Sequence, residues 1–299
     1  MKGNKTQLIG CLCALGCEML FGFSSLFTKD VTETVSPFAL LGWRFLIAFI
    51  MFSLCAAFGL IKIRLKGKNL KPLFALALFS PILYFTGETF GIALTTASES
   101  GAVFACIPVA SVIASTLILK KSPRKNEITG ILLTLIGVLI TVFAAGRSAS
   151  FSLPGYLMLF MAVLSDALYG VSVEKTSDYG ELEKLFVILF AGAVFFASAA
   201  GAEAYRNENL SELVVLPFRN PRVMTAVLYQ GIGCSIFAFY LYNTAVSKIG
   251  INRVSSFIGV CTIVSILSGV LILHERFTIA QLIGVLIITI GVYIANSRF

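Results

Sequence analysis

The chain predicts an all-α integral membrane fold: ten transmembrane helices in two inverted five-helix repeats around a central cavity. Three observations carry that expectation. The 299 residues are 58% hydrophobic and 13% charged, with a mean hydropathy of +0.93, whereas soluble domains are nearer half apolar and a quarter charged. Ten apolar runs, at 8–27, 37–58, 72–93, 98–119, 127–146, 154–173, 182–202, 222–246, 252–273 and 278–296, lie near the ~20 residues that cross hydrocarbon as a helix. Finally, Glu18, Phe21, Gly22 and Ser24 of the first run recur as Asp166, Tyr169, Gly170 and Ser172 of the sixth, 148 positions on.

Each run is read as a helix because lipid offers no partner for backbone N–H and C=O groups. Charge placement sets the orientation. With the N-terminus in the cytoplasm, the inner side receives Lys2, Lys5, Lys62, Arg64, Lys66, Lys68, Lys71, Lys120, Lys121, Arg124, Lys125, Lys175, Lys184, Lys248, Arg253 and Arg298. The outer side receives Lys29, Arg147, Arg206, Arg219, Arg222 and Arg276, and Arg44 stays within the membrane. That bias follows the positive-inside rule and favours an even number of spans with both termini cytoplasmic in the cell membrane. It also accounts for the +8 net charge without invoking nucleic acid. Lys2 and Lys5 ahead of an apolar stretch resemble a signal peptide, but recurrence of the segment around Asp166 favours a retained helix.

A second repeat supports division into 1–146 and 147–299. Residues 117–119, Gly130 and Gly137 align without gaps on 271–273, Gly284 and Gly291, at an offset of 154. Five helices per half is odd, so the second half enters the membrane inverted, a pattern of secondary transporters that bind substrate near the midplane. The four glycines, seven apart within each half, predict close helix contact and leave a homodimer open. All seven cysteines lie in the apolar runs without a CxxC pair, and read as small buried hydrophobes. The chain has no P-loop, HExxH or GxSxG motif, so ATP hydrolysis and those hydrolase mechanisms have no support.

Trp43, Arg44 and Phe45, the segment 93–103 entering a helix with Pro108, and Leu273, His274, Glu275 and Arg276 followed by Gly284 and Gly291 resemble the EamA branch of the drug/metabolite transporter superfamily. The resemblance spans nearly the whole chain in two EamA-like copies. It implies ten helices, a central cavity and movement of small metabolites without ATP. Lys121 stands where the first copy would carry the counterpart of Glu275, and Glu18 where members are more often apolar. The four-helix small multidrug resistance transporters offer a similar arrangement through a Glu in their first helix.

Candidate site residues follow from depth. Glu18 lies roughly 15 Å into its helix and Asp166 about 18 Å into the sixth, both near the midplane of a ~30 Å core. Each has an aromatic at i+3, Phe21 and Tyr169. Carboxylates beside aromatic rings suit a cation, and because hydrocarbon disfavours a charged carboxyl, protons can compete with that cation. Glu88 lies roughly 24 Å from its edge, with Tyr84 one turn behind, and Arg44 about 10 Å from the opposite edge, at similar depth. Arg44 can pair with Glu88 or Glu99; an Arg44–Glu99 structural ion pair leaves Glu88 for substrate. On the eighth helix Tyr240 and Asn243 complete the expected face, in register with Tyr229 and Gly233. His274 and Glu275 are read as helix-end residues that cap or snorkel.

These residues point to a proton-coupled exporter of an organic cation or amine-bearing compound. The competing readings are an uptake permease for an amino acid, choline-like compound or other metabolite, and an intramembrane enzyme or non-transporting sensor. An enzyme would need a nucleophile–base or metal constellation, and the single His274 lies at a helix end. The expected partners are a small-molecule substrate, protons and the lipid bilayer, with no nucleic acid; no cofactor or metal is expected.

Overall fold

The computed structural model describes residues 2–65, 67–120, 125–145, 152–275 and 278–296. Lys66, Lys121, Arg124, Gly146, Arg147, Arg276 and Arg298 lie outside them. Among the described residues, eight helices are long and apolar enough to span a membrane: α1 (Lys5–Thr32), α2 (Pro37–Ala57), α3 (Lys71–Leu94), α4 (Ala97–Leu119), and four in the second half. The first half ends with α5 (Lys125–Ala145). The second-half spans are α6 (Leu153–Lys175), α7 (Glu181–Arg206), α8 (Pro221–Ile249) and α9 (Ile251–Leu271), followed by α10 (Ile279–Asn296). The described apolar stretches of α5 and α10, Ile128–Gly137 and Ile279–Gly291, are shorter than a full span. A short helix, Leu210–Arg219, lies between α7 and α8, tied down where the Trp43 indole N–H donates to the Leu213 carbonyl at 2.9 Å.

Side chains sort by face as the bilayer requires. On α1, Leu8, Leu12, Leu15, Met19 and Phe23 are exposed, one stripe at helical spacing. Ala14, Cys17, Glu18, Ser24, Ser25 and Thr28 are buried on the other side. Helix starts are fixed by polar caps, which satisfy otherwise orphaned N–H groups. The Ser36 hydroxyl accepts from Ala39 N–H (3.1 Å) ahead of Pro37, and Ser152 does the same for Gly155 (3.2 Å) ahead of Pro154.

The helix pairing has a regular pattern. α1 packs on α8 and α9; α6 packs on α3 and α4; α2 pairs with α7, α4 with α9 and α5 with α10. Advancing every helix by five places turns this set into itself. Small residues permit the closest crossings. A Cβ on Gly137 would stand 2.6 Å from the Gly284 carbonyl oxygen, and one on Gly291 would stand 2.8 Å from the Gly130 carbonyl oxygen. The glycine faces expected to allow close contact, and left open for dimerisation, are thus used within one chain, α5 against α10.

Glu275, beyond the end of α9, crosses to cap α4. Its carboxylate accepts from the backbone N–H groups of Ala97 (2.8 Å) and Ser98 (2.9 Å) and from the Ser98 hydroxyl (2.5 Å). On the other side of the same turn Lys29 donates to the Thr95 carbonyl (2.6 Å) at the end of α3. Anion at a helix start and cation at a helix end both complement the peptide dipoles. Replacing Glu275 by Ala should cost about 1–2 kcal/mol, the worth of a lost cap, while Gln, which keeps one carbonyl acceptor, should cost less. Melting of the detergent-solubilised variants checks the order.

Candidate functional site

Two helices that bound the centre depart from α geometry. In α3 the helical dihedrals fail at Ser80 (φ −143°, ψ 121°), just before Pro81. Proline removes a backbone donor and clashes with the preceding turn, so the helix breaks there and turns the Ser80 hydroxyl toward the interior. In α8 residues Tyr229–Ala238 form a π-helical stretch, whose i→i+5 bonds widen the turn. Interrupted helices of this kind commonly border functional cavities in membrane proteins.

Between them lies a cavity of about 30 Å³, room for roughly two waters. Its walls carry three carboxyls from three helices: Glu18 of α1, Glu88 of α3 and Asp166 of α6. Around them stand the rings of Phe21, Tyr84, Phe104, Tyr169, Phe239 and Tyr242, with the hydroxyls of Ser25, Ser80 and Ser255. The rings brace one another. Tyr169 stacks on Tyr242 (centroids 5.5 Å, 24°) and meets Phe239 edge-on at 5.8 Å, and Phe21 meets Phe239 edge-on at 5.8 Å.

The three acids are not equivalent. Glu18 and Asp166 have no ion-pair or hydrogen-bond partner among the described residues, and they lie close enough for their charges to interact. Glu88 accepts from the Tyr84 hydroxyl at 3.3 Å and faces the Arg44 guanidinium at 3.9 Å. Arg44 is fully buried. Its Nε donates to the Ser235 hydroxyl at 2.9 Å, and its guanidinium lies 4.2 Å from the Phe85 ring centroid.

Glu18, Phe21, Tyr84, Glu88, Asp166 and Tyr169 therefore all line one cavity. Three expectations are corrected. The structural pair of Arg44 is Glu88 rather than Glu99: Glu99 lies in the first turn of α4 and interacts with Tyr156 instead. Tyr240 is 40% exposed on the outer face of α8, because the π stretch advances the helix more slowly than 3.6 residues per turn and rotates everything after it. The same rotation brings in Phe239 and Tyr242. Asn243 is buried but stands behind the wall, accepting from the Tyr169 hydroxyl at 2.5 Å, so it positions a lining ring without lining the cavity itself.

Ser25 and Ser80 were not singled out by the sequence pattern. Ser25 was accessible, since 18, 21 and 25 share one helix face. Gln230 donates to the Ser24 carbonyl (3.0 Å) and Thr28 hydroxyl (2.8 Å), joining α8 to α1 beside the cavity. The cysteines are free thiols, with Cys17, Cys106, Cys234 and Cys261 buried. No group of three or more His, Cys, Asp or Glu with metal-binding geometry occurs among the described residues.

A bundle of apolar helices around an acid-lined cavity is the make-up of a multi-pass membrane transporter. The model of the EamA-like transporter family matches residues 8–143 and again 153–297, and the chain belongs to that family. An uncharacterized transporter of Bacillus subtilis (strain 168), YcxC, is 30% identical, the match covering 95% of this chain and 92% of YcxC. A second from the same organism, YetK, is 27% identical over 96% of this chain and 86% of its own. A solved crystal structure with 21% identity aligns over 97% of this chain and 98% of that chain, with a TM-score of 0.67, which speaks to the fold.

Proposed function

We propose that the protein is a proton-coupled secondary transporter for a small organic cation or amine-bearing compound, acting as an exporter in the cell membrane. In this reading ten helices form two inverted repeats, residues 1–146 and 147–299, with both termini cytoplasmic. The five-place regularity of the helix pairing supports the repeat, as does the doubled family match; the distribution of Lys and Arg supports the orientation.

One observation carries the reading: Glu18 and Asp166, from corresponding helices of the two halves, face one cavity without a cationic partner among the described residues. Uncompensated carboxylates within the membrane are costly, and either a proton or a cationic substrate relieves that cost. Substrate and protons then compete for the same oxygens. The cavity, at about 30 Å³, is smaller than typical ligand pockets, so loading requires the halves to part and alternation between the two membrane faces follows. The acceptance of a cation should weaken as pH falls, because protons take the same oxygens. A thermal-shift screen of purified protein against amines, amino acids and quaternary ammonium compounds at two pH values tests this, since a ligand of the native state raises its melting temperature. Stabilisation that is indifferent to charge and pH would refute the acid-based site.

A further inference from the structure

Arg44 meets the cavity through Glu88 alone. It does not line the cavity, is 0% exposed, and is held from behind by Ser235 and by the Phe85 ring. Among the described residues, neither terminal guanidinium nitrogen has a hydrogen-bond acceptor, and Oε2 of Glu88, 3.9 Å away, has no donor. The pair is therefore coulombic, not a hydrogen-bonded clamp. Close approach of α2 to the widened turn of α8 fixes this placement: a Cβ on Gly231 would stand 3.0 Å from the Arg44 carbonyl oxygen.

We propose that Arg44 is a specificity-determining positioning residue: it sets the charge that the cavity demands of its occupant. The proposal rests on the cation-binding reading above. Glu18, Glu88 and Asp166 are the charged side chains of the lining, contributed by α1, α3 and α6, while α4, α8 and α9 contribute none. Three carboxylates and the buried guanidinium give a formal charge of −2. Without Arg44 the same cavity reaches −3 and favours occupants of higher positive charge. A guanidinium that touched the occupant would repel it directly; one pinned behind Glu88 offsets a single carboxylate and leaves the cavity geometry untouched.

The test compares two probes, benzyltrimethylammonium with one charge and hexamethonium with two, by competition binding to the full-length protein in detergent. Arg44→Gln should tighten the first on the order of tenfold and the second on the order of a hundredfold, since coulombic energy scales with ligand charge. Arg44→Lys retains the charge and should leave the ratio of the two affinities where it is in the unsubstituted protein. Should Arg44→Gln fail to fold, two other variants decide the matter. Arg44→Gln combined with Glu88→Gln restores −2 and the original ratio, and Glu88→Gln alone shifts the ratio toward the monocation. Equal weakening of both probes in Arg44→Gln would mean a merely structural arginine and would overturn the proposal. Absence of binding by either probe, or binding that survives Glu18→Gln unaltered, would bring down the cation reading itself and this inference with it.

Discussion

Glu18→Gln and Asp166→Asn should each reduce substrate-driven proton movement in proteoliposomes by roughly two orders of magnitude or more, because removing one partner of a buried charge interaction costs about 2–5 kcal/mol. The amides keep the shape of the side chains and their capacity for hydrogen bonding, so the helices should still assemble. What the amides lack is a titratable proton and a negative charge. Each carboxyl lies among rings without a cation of its own among the described residues, so neither variant releases a trapped arginine or lysine that would confuse the result. The readout is a pH-sensitive dye inside the vesicles, recorded when substrate is added outside. A loss of coupled flux with intact counterflow of labelled substrate would separate proton exchange from binding. Both variants transporting with ordinary coupling would end the acid-based mechanism.

The acids themselves were legible in the sequence because a charge within hydrocarbon is rare enough to be conspicuous, and a matched pair 148 positions apart is more so. Phe21 and Tyr169 followed from helical spacing. Rotational phase was harder to read. Depth along a helix axis placed Glu88 and Arg44 at one level, but it could not say that Glu99, a short way along the chain, interacts with Tyr156 instead. On α8 the sequence offers no marker for the π stretch at Tyr229–Ala238. Extrapolating at 3.6 residues per turn therefore selected Tyr240 and passed over Tyr242. Asn243 was found for the wrong reason: it is close to the site because it holds the Tyr169 hydroxyl. The break at Ser80 comes just before Pro81, but a proline marks a kink without saying which side chain the kink turns inward.

At Gly87 a single methyl group meets unyielding backbone near the site. It begins a Gly87–Gly91 pair four residues apart on α3, the spacing that lets membrane helices approach closely. A Cβ at Gly87 would stand 2.5 Å from the Met158 carbonyl oxygen and 2.9 Å from the Ala162 nitrogen, both backbone atoms of α6. At Gly91 the nearest obstacles are the Leu159 side-chain carbons, at 2.6 and 2.7 Å, and a leucine can change rotamer. Gly87→Val should therefore separate α3 from α6 and destabilise the protein by about 1–3 kcal/mol or somewhat more, the usual cost of overpacking. Gly91→Ala should cost less, part of its strain being offset by the better helix propensity of alanine. The functional loss should follow the same order. Glu88 adjoins Gly87 and Asp166 lies one turn beyond Ala162, so parting the helices at this crossing draws apart the two carboxyls that they carry. Melting temperature and coupled flux measured on both variants check the ranking. A Gly87→Val protein as stable and as active as the unsubstituted one would show that the α3–α6 contact is not what holds Glu88 and Asp166 at a common cavity.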